Sequence, residues 1–574
     1  MSQRLVIDPI TRIEGHLRIE VVVDDNGVVT DAYSGSTLWR GLETIVKGRD
    51  PRDIGFFMQR ICGVCTFSHY NAGISAVENA LGITPPLNAI LTRTLMNTAL
   101  FMHDHPVHFY QLHGLDWVDI VSALSADPHA ASQEAFRYTD LPYACGEDQL
   151  KAVQQRVKAF VEKGALGPFA NAYFGHSTYK LTPEQNLIAL SHYLECLRIQ
   201  RTAAQMMAIF GGKQPHPQTL TVGGVTCVMD ILSPARLGEY MVKFQEVADF
   251  INRAYYPDLL MAGGAYANEA SVLNDVGVAN LWTHQTFQYS RNDFLFQSGV
   301  ILDGDISKVH ELDESKITEE ATHSWYKNDK PLHPYDGEQE PNYTGFKVEQ
   351  TLNAKGEMED TKVLNTEGKY TWIKAPRYDG KSLQVGPLSN IVVNYAKGNE
   401  FVTKVVDKFL ADTGLPLEAV FSTLGRTACR MIEAKVVADN GLLAFNNLIA
   451  NIKSGDTETC AKYTIDKKKS YKGRYIGHVP RGSLSHWCRI ENGVIQNWQA
   501  VVPSTWNASP KDAQGNMASY ESCLIGLKIA DLTQPLEIIR KIHSYDPCIA
   551  CAVHVMDTKG NELSSYKVNP NIKD

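Results

Sequence analysis

In 574 residues there is no apolar run close to the roughly 18 residues a membrane-spanning helix needs, so the chain is expected not to cross a bilayer by itself. Its first residues, MSQRLVIDPITRIEGH, lack the charged-then-apolar layout of a secretory signal, and no export address of its own is expected. Positive charge is not in excess either. The 55 basic residues face 64 acidic ones, for a net charge of −9, and they form no basic stripe, which argues against nucleic acid as a partner. Cysteine is scarce: 11 in a chain of this length exclude a disulfide scaffold. No internal repeat or low-complexity tract is present. What remains is a chain with 44% apolar residues, several times longer than the ~150 residues of a usual domain and able to bury a large core.

The few cysteines are unevenly placed. Cys145, Cys196, Cys227, Cys429, Cys460, Cys488 and Cys523 stand singly and read as core filling, because cysteine is among the most buried residue types. The other four form two Cys-x-x-Cys pairs, Cys62/Cys65 and Cys548/Cys551, near opposite ends of the chain. Four thiolates brought together make a soft, strongly donating site that suits zinc, an iron-sulfur cluster, copper(I) or nickel. Structural zinc pairs usually lie within tens of residues of each other, unlike these, but spacing leaves zinc open. A thiol-disulfide exchange site and four unrelated core cysteines also remain open. A histidine follows each pair, His69 and His554, and could be a ligand, a donor to sulfur or a helix-face residue.

Local pattern places these motifs. Leu17, Ile19, Val21 and Val23 alternate with Arg18 and Glu20 before an Asn26-Gly27 turn, predicting a small antiparallel sheet over residues 4–35. Ile74, Val77 and Leu81 recur at helical spacing up to Gly82, and a second helix starting near Asn88 carries a stripe of Leu91, Leu95, Thr98 and Met102. Thr182-Pro183-Glu184-Gln185 is a capping box that opens a helix with Leu187, Leu190, Leu194 and Leu197 on one face and its end at Gly211-Gly212. Residues 300–385 read as surface-wrapping loops with short strands, helices resume over 396–454, and Asn492-Gly493 joins a hairpin of residues 487–490 and 494–502.

RICGVCTFSH around the first pair and DPCIACAVH around the second, preceded by DPITRIEGH, resemble the large subunit of nickel-iron hydrogenases. The resemblance runs from residue 4 to the end and includes STLWRGLETIVKGRDPRD, HDHPVHFYQLHGLDW, GHSTYKL, VGPL, STLGR, PRGSLSHW and VVPSTWNASP. A related respiratory-complex subunit of the same ancestral fold lacks the four cysteines and is disfavoured. Gln384 before VGPL departs from the glutamate that relatives often carry.

The resemblance implies that Cys62, Cys65, Cys548 and Cys551 bind nickel, and that Cys65 and Cys551 also bridge to an iron carrying carbon monoxide and two cyanides. It implies heterolytic cleavage of H2, with Cys548 as the first candidate base, Arg481 as its rival and Glu14 as the first proton relay. Taken by itself, Glu14 reads instead as a carboxylate capped or salt-bridged beside Arg12. Asp104 and Asp546 are expected to orient Arg481, and Ser504 with the backbone near Pro480 to bond the cyanides. His105 and His108 are read as structural. A second metal, magnesium or iron, is expected on Glu43, the Ala500 carbonyl and His554.

The remaining expectations also follow from the resemblance. Residues 1–554 form one large-subunit domain, and residues 555–574 are a propeptide removed after His554 by a nickel-dependent endopeptidase. No remaining cysteine forms a cluster pattern, so the iron-sulfur clusters belong to a small partner subunit. A cytochrome b then passes electrons to quinone, at the periplasmic face of the cell membrane, where the chain is peripheral. The expected fold is α+β and mostly helical, with a central bundle of long helices and small peripheral antiparallel sheets.

Overall fold

Three strands open the chain: β1 (Gln3–Ile7), β2 (Leu17–Val23) and β3 (Val29–Ser36), antiparallel in the order β1-β2-β3. The alternating Leu17, Ile19, Val21 and Val23 are all buried, as their spacing requires. The opposite face is not open to water. Arg18 and Glu20 are buried too, because a hairpin of β4 (Lys347–Leu352) and β5 (Met358–Val363) lies beside β1 and closes over them. Arg18 pairs with Glu20 and with Asp8, and Leu364 N donates to Glu20 at 2.9 Å, so the covered charges are satisfied.

The computed structural model describes residues 3–139, 145–164, 167–170, 172–273, 277–352 and 356–552. Its centre is a bundle of long helices. After α1 (Thr66–Leu81), closed by Gly82 at φ 68°, comes α2 (Leu87–Val107), which runs straight into a π-helical turn, His108–His113. Then follow α3 (Glu147–Glu162), α4 (Pro183–Gly211), α5 (Pro234–Phe250), α6 (Tyr256–Tyr266), α7 (Thr423–Asn440) and α8 (Leu536–His543). The α2 stripe of Leu91, Leu95, Thr98 and Met102 is fully buried, and α2 packs against α4 and α7.

The capping box of α4 forms as predicted: Gln185 N donates to Thr182 Oγ1 at 3.2 Å and Thr182 N to Gln185 Oε1 at 3.1 Å. Its apolar face differs from the expected one. Leu187 and Leu190 are buried, but Leu197 is 43% exposed, and burial moves to Cys196, Ile199, Ala203, Met206 and Phe210. The buried stripe turns around the helix because the neighbours of α4 differ along its 29 residues. Each buried leucine contributes about 1.5–3 kcal/mol, so the tertiary neighbours, and not the local pattern, decide which face goes inward.

A second three-stranded sheet supports the site, with β6 (Tyr471–Val479), β7 (Gly482–Glu491) and β8 (Val494–Val501) in order. Asn492 and Gly493, at φ 55° and 77°, make the predicted turn between β7 and β8. β6 was not foreseen, and β7 begins five residues earlier than the hairpin reading placed it. The face of β6 packs on α1.

Residues 300–385 do wrap the surface, yet they also add core. Trp325, Tyr370 and Trp372 are buried, and Trp372 stacks on Trp39 with ring centroids 5.0 Å apart. Among the single cysteines, Cys460 is exposed rather than core, while the other six are buried; it lies in the extended stretch that bridges to Gly224.

One buried acid in this region sets a pH-dependent stability. Glu521 accepts hydrogen bonds from Ser34 N at 3.0 Å and Tyr370 Oη at 2.9 Å, but burial still pushes its carboxyl up to about 8. The folded value lies above the unfolded one, so the contribution is complete below the unfolded carboxylate range and is lost as pH rises toward 8. Glu521→Gln is expected to raise the melting temperature by a few degrees near pH 9 and to flatten its fall between about pH 5 and pH 8. Thermal melts across that range test this, and an equal loss at both ends would count against it.

Candidate metal centre

Cys62 leaves the short 3-10 turn Gln59–Ile61 in an extended conformation, and Cys65 is the residue immediately before α1. The amides of Val64 and Cys65 both point at Cys62 Sγ, each at 3.2 Å. A sulfur held by amides at a helix start is favoured as thiolate. Cys548 comes from the far end of the sequence, anchored by its own amide, which donates to Ser504 Oγ at 3.0 Å.

The three sulfurs converge. Cys62 Sγ lies 3.4 Å and Cys65 Sγ 3.8 Å from Cys548 Sγ, all three side chains are buried, and none is in a disulfide. Such spacing is well beyond the ~2.05 Å of a sulfur-sulfur bond and suits thiolates that share a metal. Cys551 stands on the helical turn Ile549–Ala552, and its side chain lies outside the described residues, as does His554.

Glu14 reaches this cluster because two distant segments run side by side. Glu14 N donates to Pro547 O at 3.3 Å and Ile549 N to Glu14 O at 2.7 Å. The contact requires glycine next: Gly15 has φ +84°, and a Cβ there would stand 2.2 Å from Ala550 N. Glu14 Oε2 accepts from Ala550 N at 3.0 Å and lies 3.4 Å from Cys548 Sγ. Burial, and then the Cys62 sulfur, push its carboxyl up to about 7 against the pull of Cys548 and Arg481. Arg12 is not its partner. That guanidinium bonds Asp116 at 2.6 Å and Leu112 O at 2.8 Å, which removes the simple salt bridge expected from sequence proximity.

Arg481 and Pro480 form the two-residue tip between β6 and β7, where Val479 pairs with Gly482. The tip packs so closely that a Cβ on Gly482, at φ +130°, would lie 2.6 Å from Gly386 N. The buried guanidinium spans two carboxylates, with Nη1 3.1 Å from Asp104 and Nη2 3.2 Å from Asp546. Burial works against the Asp104 anion, but His103 and Arg481 outweigh it and hold the carboxyl low. In Asp546 burial wins and the carboxyl is pushed up. Arg481 Nε is buried and finds no hydrogen-bond partner among the described residues.

His105 and His108 are structural, as read from sequence: His105 Nε2 bonds Glu433 at 2.9 Å and His108 Nε2 bonds His543 O at 2.7 Å. A second cluster of ligand-type residues, His113, Asp116 and His543, is also buried. Its atoms are already committed, since both imidazoles bond Asp116 Oδ2, at 2.9 and 2.6 Å, and Arg12 takes the other oxygen. It is a hydrogen-bonded ion-pair network.

Sequence reading missed a relay beside the cysteines. Trp498 Nε1 donates to His486 Nδ1 at 3.3 Å, and His486 Nε2 lies 3.1 Å from His69 Nδ1. Indole is only a donor, so His486 carries its proton on Nε2 and gives it to His69 Nδ1, which leaves the His69 proton on Nε2. Burial holds His69 down at about 4, hence neutral. Glu433 was missed as well; its signal was an acid in the middle of the apolar stripe of α7, where it serves His105, His478 and Asn390.

Glu43 lies on the helical turn Leu42–Ile45 beside the end of β8, and its Oε1 accepts from Ala500 N at 2.7 Å. Burial pushes this carboxyl up to about 7, opposed by Lys374. Two of the three residues expected at a hard-metal site are therefore neighbours.

Comparison with known proteins agrees with this geometry. The family described as nickel-dependent hydrogenase matches residues 40–554, and one described as HoxL-like matches residues 4–34. The chain is 65% identical over 570 residues to the quinone-reactive Ni/Fe-hydrogenase large chain of Wolinella succinogenes, covering 99% of both. It is 44% identical over 592 residues to the uptake hydrogenase large subunit of Rhizobium leguminosarum bv. viciae, covering 99% of this chain and 98% of that one. The as-isolated, oxidised Ni-Fe-Se hydrogenase of Desulfovibrio vulgaris Hildenborough superposes with a TM-score of 0.75 at 30% identity, over 96% of this chain and 100% of that chain.

Proposed function

This chain belongs to the nickel-dependent hydrogenase family and is an oxidoreductase acting on H2; from that premise we propose that it is the catalytic large subunit of an uptake hydrogenase that sends electrons toward quinone. The observation that carries the reading is the meeting of Cys62, Cys65 and Cys548 within 3.4 and 3.8 Å across 486 residues of sequence.

The residues present fit the group this family implies. Soft sulfurs suit nickel, and the partnerless buried N–H of Arg481 suits the nitrogen end of a cyanide. Cys62, Cys65, Cys548 and Cys551 would hold nickel, with Cys65 and Cys551 shared with an iron bearing CO and two cyanides. Bound there, the metals would supply the Lewis acidity that splits H2 heterolytically.

The protein's own part is to receive the proton and keep water out. Cys548 Sγ is the first base, and Glu14 Oε2, 3.4 Å away, takes the proton onward. Arg481, fixed between Asp104 and Asp546, keeps a permanent cation over the sulfurs in a dry site. Ser504 Oγ accepts from the Cys548 amide, which places its hydroxyl beside the sulfurs, and with the backbone near Pro480 it would donate to a cyanide. Glu43 and the Ala500 carbonyl, with His554, would bind magnesium or Fe2+.

Two electrons per H2 must leave, and the other cysteines lie singly, so a small iron-sulfur subunit is the proposed acceptor. No described helix is long and apolar enough to cross a membrane. The name of the Wolinella relative, quinone-reactive, supports delivery of electrons to quinone and so a place at the membrane; the partner that carries them is proposed to be a cytochrome b, with the chain peripheral on the periplasmic face. Residues 1–554 are the proposed mature domain, and 555–574 a tail removed by a nickel-dependent endopeptidase.

Purified complex is expected to hold about one nickel per chain, to show infrared bands of carbon monoxide and cyanide, and to give an intact mass ending at His554. Zinc without those bands would sink the metal assignment. A mass that retains residues 555–574 in active enzyme would sink the processing step alone.

A further inference from the structure

A second reactive constellation involves no residue of the proposed metal centre. It forms where Cys145, just before α3, meets α4 and α6. Cys145 Sγ lies 3.1 Å from His192 Nε2, and His192 Nδ1 lies 2.9 and 2.8 Å from the two oxygens of Asp258. Tyr110 Oη, from the π-helical turn, donates to Asp258 at 2.7 Å. All four side chains are buried.

The order of donors follows from the chemistry. Asp258 accepts from both Tyr110 and His192, so His192 Nδ1 carries a hydrogen and Nε2 faces the sulfur. Burial works against a His192 cation, yet Asp258 and the Cys145 sulfur outweigh it and hold the imidazole well above its usual range. A sulfur facing an imidazole that is itself held by a carboxylate is the arrangement in which cysteine nucleophiles act as thiolate. Cys429 and Cys488 serve as internal controls: both are buried, and burial pushes their thiols up to about 12.

Space decides what such a thiolate could meet. Cys145, His192 and Asp258 line a cavity of about 10 Å3 together with Tyr138, Arg253 and Met261. That volume takes one water-sized molecule. A peptide or acyl substrate does not fit, which excludes a hydrolase of the cysteine-histidine-aspartate type, whereas hydrogen peroxide, one oxygen larger than water, is the oxidant nearest that size.

We infer that Cys145 is a peroxide-reactive thiol, with His192 as its proton donor and with Asp258 and Tyr110 as positioning residues. The thiolate attacks one oxygen of hydrogen peroxide. A sulfur-oxygen bond forms as the oxygen-oxygen bond breaks, and the departing hydroxide takes the proton from His192 Nε2 to become water. Sulfur loses two electrons and becomes a sulfenic acid, and the peroxide gains them.

The test uses the whole assembled enzyme. It is exposed to dilute hydrogen peroxide, quenched with catalase, unfolded in N-ethylmaleimide and digested, and the remaining alkylatable thiol is read by peptide mass spectrometry. Cys145 should lose its thiol at least about tenfold faster than Cys429 and Cys488 in the same molecules, with the sulfenic acid trapped by dimedone after unfolding. Asp258→Asn should bring its rate down toward those controls, while Cys145→Ser keeps wild-type H2-dependent dye reduction. Equal rates for Cys145 and Cys429 in the wild-type protein overturn the inference, whether or not the variant folds. An unchanged rate in a folded Asp258→Asn protein overturns the role of the histidine and its carboxylate.

Discussion

Glu14→Gln is expected to lower H2 oxidation by about 10²- to 10⁴-fold, the range a positioned proton-transfer group supplies. The amide has the same shape and can still accept from Ala550 N, the 3.0 Å bond that fixes the carboxylate. It cannot take a proton from Cys548 Sγ, 3.4 Å away. Nickel content and the infrared bands should be those of the wild type, because Glu14 is no ligand. The variant also separates the two candidate bases. If Arg481 received the proton and passed it on by another path, Glu14→Gln would cost little, and a rate within about threefold of wild type would falsify the relay through Cys548.

Arg481→Lys is expected to reduce turnover by about 10²- to 10³-fold with nickel still bound, comparable to losing one preorganised electrostatic donor. The charge survives the change but its shape does not. Two guanidinium nitrogens reach two carboxylates, Asp104 at 3.1 Å and Asp546 at 3.2 Å, and an ammonium is a single point that cannot span both. Asp546 is the more sensitive to this change, since burial already pushes its carboxyl up and a cation that no longer reaches it opposes that rise less. Turnover and nickel content measured on the same preparation decide the matter. A lysine enzyme at near wild-type rate would mean that only the sign of the charge matters, and a variant without nickel would mean that Arg481 is needed to build the centre.

Much of this centre was readable in the sequence because its parts are local. A Cys-x-x-Cys pair brings both sulfurs to one place by short-range geometry alone, and the Cys65 position before α1 follows from the helix that starts there. Caps were readable for the same reason, as at Thr182 and Gly82. What was not readable depends on partners far along the chain. His486 faces His69 across 417 residues, and His105 faces Glu433 across 328. Arg12 stands two residues from Glu14 and pairs instead with Asp116, 104 residues on.

Other differences are of burial. Arg18 and Glu20 alternate correctly but are covered by a hairpin that no local pattern announces. Leu197 keeps its helical spacing and still faces out, because its neighbours change along α4. Strand β6 was hidden by its composition: Lys472, Gly473, Arg474 and Gly477 break the alternation, although the strand packs on α1 and pairs with β7 over its full length.

The seam between residues 14–15 and 547–550 also constrains how the molecule is made. Synthesis delivers Glu14 534 residues before Cys548, so the first half of the seam must wait for its other half while all of that chain is made. A nascent or stalled chain holds one thiol pair and no enclosure around it. The centre can then be completed only after residues 547–550 have been made, and a side chain at Gly15 would act as a wedge that holds the two segments apart.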